Sequence, residues 1–127
     1  MSVVEYEDNV DEQLRTIGDR LPKPVGYKML LALPEAKETT EAGLFIPDER
    51  RTSETTASIL GCVIAQGSSC YKDAEKFPDG AWCKVGDWVM MKSYSGTRFR
   101  IGDNEFRLIN DDSIDAVVDD PRGIKRV

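Results

Sequence analysis

From Val25 onward the chain reads as short apolar bursts separated by turn residues. Val25-Gly-Tyr-Lys-Met-Leu-Leu-Ala-Leu33 mixes alternation with a continuous apolar run and stops at Pro34. Ser58 to Ala65 is a second burst, closed by Gln66-Gly67, and Asp87 to Lys92 is a third, entered through Gly86. Thr97–Ile101 and Glu105–Ile109 alternate polar and apolar residues around Gly102-Asp103-Asn104, the pattern of a β-hairpin with a glycine-containing loop. Ile114 to Val118 is the last strand candidate. Several short strands with turn signals between them, and no helical repeat, predict an all-β fold: a small antiparallel barrel or sandwich.

Two stretches interrupt this pattern. Pro34 to Ser58 is polar almost throughout, except for the island Gly43-Leu44-Phe45-Ile46-Pro47. A connection of that length is uncommon in a compact domain unless it is functional or disordered. The triplet Leu44-Phe45-Ile46 fits a hook offered to another protein, and it equally fits the middle of an ordinary buried strand. The second stretch, Ser68 to Lys84, contains Tyr71, Phe77-Pro78-Asp79-Gly80 and Trp82, with Asp79-Gly80 as a turn pair. A projecting hairpin and a surface loop both suit it. Ahead of the strands, Val10, Leu14, Ile17 and Leu21 fall on one helical face, and Asn9 with Glu12 resembles a capping arrangement. Gly18 weakens the far end, and Pro22 and Pro24 stop it. A short N-terminal helix and an acidic, partly disordered arm both fit.

Composition narrows the function classes. The chain has 127 residues, enough for one domain with a modest core. Seventeen basic against twenty-three acidic residues give a net charge of -6, which disfavours nucleic acid as a partner because phosphate binding needs clustered Lys and Arg. No apolar run approaches the ~20 residues that span a bilayer. The N-terminus lacks the basic start and apolar run of a signal peptide, so a soluble intracellular protein is expected.

The chemistry-bearing residues are few. Cys62, Cys70 and Cys83 are odd in number, without CxxC spacing, and read as reduced thiols packed in the core. Histidine is absent, which removes the commonest zinc ligand sets, histidine general bases and the Ser-His-Asp and Cys-His arrangements. Neither GxGxxG nor GxxxxGK[ST] occurs. Asp111-Asp112 and Asp119-Asp120 read as solvated surface. No catalytic, cofactor-binding or metal-ligating residue is assigned, and the chain is not expected to be an enzyme.

In this order the parts resemble the GroES-type co-chaperonin family, from about Pro24 to Val118. Ala42-Gly43-Leu44-Phe45-Ile46-Pro47-Asp48 is similar to that family's mobile-loop pattern. Val63-Ile64-Ala65-Gln66-Gly67 and then Lys84-Val85-Gly86-Asp87-Trp88-Val89 look like its glycine-terminated strand and its Val-Gly-Asp entry to a barrel strand. Asp103-Asn104-Glu105 through Ser113-Ile114-Asp115-Ala116-Val117-Val118 fits its last hairpin and closing strand. The roof stretch matches in position but poorly in residues, and both termini extend past the family core.

The resemblance implies a small GroES-like β-barrel over residues 23–120, with a mobile loop at 35–58 and a roof hairpin at 68–80. An N-terminal extension of 1–22 and a C-terminal tail of 121–127 flank it. It further implies a homo-oligomeric ring, seven-membered in the family, that caps a large chaperonin ring while an enclosed substrate protein folds. Gly43, Leu44, Phe45 and Ile46 would dock on the partner, which would bind the ATP; this chain would hold no cofactor. Val25, Tyr27, Ile114, Ala116 and Val118 would form the subunit interface, the strand around Val25–Leu33 pairing with a neighbour's Ile114–Val118. Cytoplasm is the implied location, a host's cytoplasm if the source is viral, with an organelle matrix also compatible.

Three rival readings differ in class. A small β-barrel interaction module would use the triplet on some non-chaperonin groove, or bury it. An enzyme domain, as in the zinc-dependent alcohol dehydrogenases with their GroES-like barrel, lacks here the nucleotide-binding half and the cysteine spacing. An OB-type barrel could stack bases on Tyr71, Trp82 and Phe99, against the charge balance, and core packing is the simpler role for those rings.

Overall fold

The structure is a computed structural model that describes residues 20–34, 56–102, 104–124 and 126–127. Most of the N-terminal stretch read as a short helix or an acidic arm, and most of the expected mobile loop with Gly43, Leu44, Phe45 and Ile46, lie outside those residues.

Among the described residues, six strands form one antiparallel sheet: β1 Lys28–Ala32, β2 Leu60–Gln66, β3 Trp88–Met90, β4 Thr97–Ile101, β5 Asn104–Asn110 and β6 Ala116–Val118. Their order is β4-β5-β1-β2-β3-β6, so the all-β expectation holds and β1 lies well inside the sheet. The continuous apolar run of β1 follows from that position, because both of its faces are covered. Met29 and Leu31 join Val63, Val89, Met91 and Ile109 on one side, while Leu30 and Ala32 join Leu60, Cys62, Trp88 and Phe106 on the other. Fully burying each large side chain contributes about 1.5–3 kcal/mol. Leu30 opposes Ala65 and Leu31 opposes Val63, so Ile64 is the extra residue of a bulge in β2, which bends that strand.

Interior pairing corrects one expectation. Lys28–Ala32 pairs with β2 on one side and β5 on the other, so it has no edge left for a neighbouring subunit. Only residues before Lys28 are available for that role.

The β4–β5 hairpin is where alternation predicts it, with Phe99 stacked on Phe106 at a centroid distance of 5.7 Å. Arg107 on β5 falls on the position that alternation gives to solvent, yet it is 1% exposed. Its guanidinium donates to the carbonyl of Lys92 at 3.2 Å and reaches that of Ser93 at 3.5 Å, tying down the turn that leads into β4. That turn presses on β5: a Cβ on Gly96 would lie 1.9 Å from the Leu108 carbonyl oxygen.

The second excursion resolves as a folded loop. No strand occurs between Gln66 and Trp88, so the expected roof hairpin is absent and the surface-loop alternative holds. Its apolar residues explain why. Cys70, Tyr71, Phe77 and Cys83 are buried in the same cluster as Met29 and Ile109, so the segment folds down over one face of the sheet. Tyr71 meets Phe77 edge-on at 4.8 Å, and Phe77 meets Trp82 at 4.9 Å.

One carboxylate secures this arrangement. Tyr71 has a φ of 59°, which a bulky residue adopts only under constraint. Its amide donates to Asp111 Oδ2 at 3.0 Å, and its hydroxyl donates to the Asp111 carbonyl at 2.8 Å. Asp111 is 3% exposed, which corrects its reading as solvated surface; Asp112 beside it is exposed. Asp111→Ala would strand a buried amide, a loss of about 1–3 kcal/mol. We expect a correspondingly lower denaturant midpoint, together with a red-shifted Trp82 emission as the loop lifts.

Candidate partner-binding site

The two roots of the polar excursion are fixed side by side. Leu33 and Pro34 are buried, and the Leu33 amide donates to the Glu105 carbonyl at 3.0 Å. On the return, Thr56, Ala57 and Ser58 are buried as well, although the loop was expected to run through Ser58. The Ile59 amide donates to the Thr56 carbonyl at 3.1 Å, closing a turn that enters β2. Neighbouring strands bring the roots together: Ala32 opposes Cys62, and a Cβ on Gly61 would sit 3.2 Å from Leu33 Cδ2. Residues 35–55 therefore leave and re-enter at adjacent points of one sheet. Phe45 is eleven residues from Pro34 and eleven from Thr56, the midpoint of the excursion. At ~3.3–3.6 Å per residue, such a tether spans at most ~36–40 Å.

Beside the N-terminal root, Glu105 takes Arg98 Nη2 at 2.6 Å and Arg100 Nη2 at 2.9 Å. Burial alone would push the Glu105 carboxyl up, but the two guanidiniums outweigh it and hold the carboxyl below its ordinary range. A depressed folded-state pKa contributes stability that is present above the ordinary glutamate range and lost as pH falls through the folded value. Acid should therefore loosen this hairpin, and Glu105→Gln should flatten the fall in thermal midpoint between about pH 5 and pH 3. An equally steep fall in the variant would contradict the assignment.

The five residues expected at a subunit interface divide into two groups. Val25 and Tyr27 are 75% and 53% exposed, and Ala116 is exposed on β6, one of the two end strands of the sheet. Val118 is half-buried against the Trp88 cluster, and Ile114 is buried in the core of its own subunit. Val117, which the sequence did not single out, is 46% exposed on the same strand. The carbonyls of Val25, Gly26 and Tyr27 are all spent internally, on the amides of Lys28, Ser69 and Asp111. Val25 and Tyr27 thus present side chains, with no carbonyl to spare for a ladder. Gly67 allows that turn to close, because a Cβ there would lie 2.2 Å from the Gly26 carbonyl oxygen.

The thiols of Cys70 and Cys83 are pushed up by burial, and the Tyr71 hydroxyl likewise, so all three stay protonated at neutral pH. Among the described residues, no three His, Cys, Asp or Glu side chains converge as a metal site would, and no helix is long and apolar enough to cross a membrane.

A sheet of this topology, two pinned roots around a polar excursion and a folded cover segment can be set against known families. The family model described as the chaperonin 10 kDa subunit matches residues 22–118. The chain belongs to that family. Relatives of this chain include proteins named co-chaperonin GroES. The one from Solidesulfovibrio magneticus is 34% identical over 101 residues, covering 76% of this chain and 96% of the relative. The one from Caldicellulosiruptor saccharolyticus is 30% identical over 98 residues, covering 77% and 97%. The one from Corynebacterium diphtheriae is 29% identical over 97 residues, covering 76% and 93%. The match of this family member ends at Val118, while its fold continues. Pro121 is fully buried and Ile124 packs on the Trp88 cluster, so these two residues of the expected tail belong to the body. Alternation could not find them, because each stands alone among charged residues.

Proposed function

We propose that this chain is a co-chaperonin: copies form a ring that caps a larger, ATP-driven chaperonin and closes a chamber in which a substrate protein folds. The family match over residues 22–118 carries the reading, and the names of the GroES relatives support it. A barrel module without a chaperonin partner is not favoured. Docking is assigned to Gly43, Leu44, Phe45 and Ile46, at the midpoint of an excursion whose roots are pinned. ATP binding and hydrolysis are assigned to the partner, no cofactor to this chain, and the cytoplasm is its proposed place of action.

The energetics suit a reversible cap. Burying Leu44, Phe45 and Ile46 yields about 5–8 kcal/mol gross per subunit, at about 1.5–3 kcal/mol each. Ordering the flanking backbone costs about 1–2 kcal/mol per residue, which leaves a single docking contact weak. Several contacts on one ring act together, and avidity rises about 100- to 10,000-fold without any new contact. Each contact stays releasable when the partner changes state.

For ring closure, the proposed surfaces are the outer edge of β6 and the residues just before β1. Pro22 and Pro24 lack amide protons at alternate positions, so an extended 21–24 could donate along one side only, as an edge strand does. Pairing it with β6 of a neighbour would cover an edge otherwise open to aggregation.

Co-sedimentation with a purified chaperonin ring tests the reading. The chain should pellet with the ring when ATP is present and remain in the supernatant without it. Absence from the pellet under both conditions, with each protein tried at well above micromolar concentration, would contradict it.

A further inference from the structure

We propose that the residues following the family match act as a clasp on the returning root of the excursion, with Thr56 and Ile124 as positioning residues for the docking contact. The inference rests on the co-chaperonin reading only for its functional consequence; the clasp is a statement about this fold.

Three observations meet at one place. The Thr56 hydroxyl donates to the Ile124 carbonyl at 2.6 Å, across 68 residues of sequence. Ile124 packs on the cluster of Leu60, Cys62, Trp88 and Phe106, the first of which is the residue where β2 begins. Pro121 is fully buried, and Arg122 pairs with Asp120 at 2.6 Å while its amide also donates to Asp120, which folds the chain back at that point. The C-terminal segment is thereby tied to Thr56, which is buried together with Ala57 and Ser58. Residues 119–127 lie beyond the matched stretch, so this contact is an addition of the present chain to the family's core.

The consequence concerns where the tether starts. With the clasp closed, the returning root is fixed at Thr56; without it, the backbone is still held at Ile59, whose carbonyl accepts from the Met91 amide at 3.0 Å. Lengthening the excursion by these few residues changes closure entropy little, since the dependence is logarithmic. The larger effect is on order. Thr56 to Ser58 would have to be immobilised when the partner binds, and each residue ordered at that moment weakens binding several-fold.

Hydrogen exchange on the free, full-length protein tests the clasp without any partner. The Ile59 amide, bonded to the Thr56 carbonyl, is the reporter, and the Val63 amide, bonded to the Asp87 carbonyl at 2.9 Å, is the control. Thr56→Val keeps the side-chain shape and removes the hydroxyl; Ile124→Ser removes the packing. Both should speed exchange at Ile59 by about 5-fold or more and leave Val63 within about 2-fold, while Thr56→Ser restores protection. Unchanged Ile59, or Ile59 and Val63 changing together, would overturn the proposal, because the C-terminal segment would then be either idle or merely part of global stability. In the capping assay, Thr56→Val should raise the half-saturating concentration about 3- to 10-fold, and Thr56→Ser should restore it. A wild-type protein that caps nothing would count against the co-chaperonin reading and leave the exchange result standing.

Discussion

Phe45→Asp is expected to abolish capping while the ring remains assembled. The substitution removes the largest apolar side chain of the triplet, about 1.5–3 kcal/mol of burial, and places a carboxylate in an apolar groove with no partner. The second cost is the larger, at several kcal/mol for an uncompensated buried charge. It recurs in every subunit, so the avidity that makes a ring of weak contacts effective multiplies the loss. Sedimentation velocity should show an unchanged oligomer, and co-sedimentation with the ATP-loaded chaperonin should fall below detection. Leu44→Ala, which only trims the hook, should reduce capping without eliminating it. Normal capping by Phe45→Asp would remove the docking role from this triplet.

The double variant Val25→Asp with Val117→Asp is expected to yield folded monomers. Both side chains are exposed in the isolated subunit, at 75% and 46%, so the substitutions put no charge into its core. In the ring the two positions lie on the surfaces proposed to meet, and like charges brought together there repel as well as forfeiting apolar burial. Even about 3 kcal/mol lost per interface weakens each contact more than 100-fold. Light scattering should report the mass of one chain at micromolar concentration, with a far-ultraviolet spectrum like that of the parent. A ring of unchanged mass would show that the interface lies elsewhere.

The strands were legible because their periodicity is local. Alternation placed the β4–β5 hairpin, and the apolar run within Val25–Leu33 marked a strand without showing that both of its faces are covered. Family membership was legible from the order of parts, with Ala42–Asp48 and Lys84–Val89 as the most telling pieces. What the sequence concealed depends on contacts between distant residues. The cover segment folds down because Tyr71 finds Asp111 forty positions away, and Asp111 looks like surface until that partner is seen. Arg107 looks solvated until the carbonyl of Lys92 is placed beside it. The C-terminal residues carry no periodic signal, and their role appears only when Ile124 meets Thr56. An interior place for β1 could not be read from its own residues, since the sheet order is a property of all six strands.

Amide hydrogen exchange at residues 43–46, followed in the free ring and in its complex with the ATP-loaded chaperonin, is the sharpest test of docking by this triplet. The account predicts fast exchange in the free ring and strong protection of Leu44, Phe45 and Ile46 on capping, with nothing comparable when ATP is withheld. Amides already protected in the free ring, or unchanged in the complex, would contradict it.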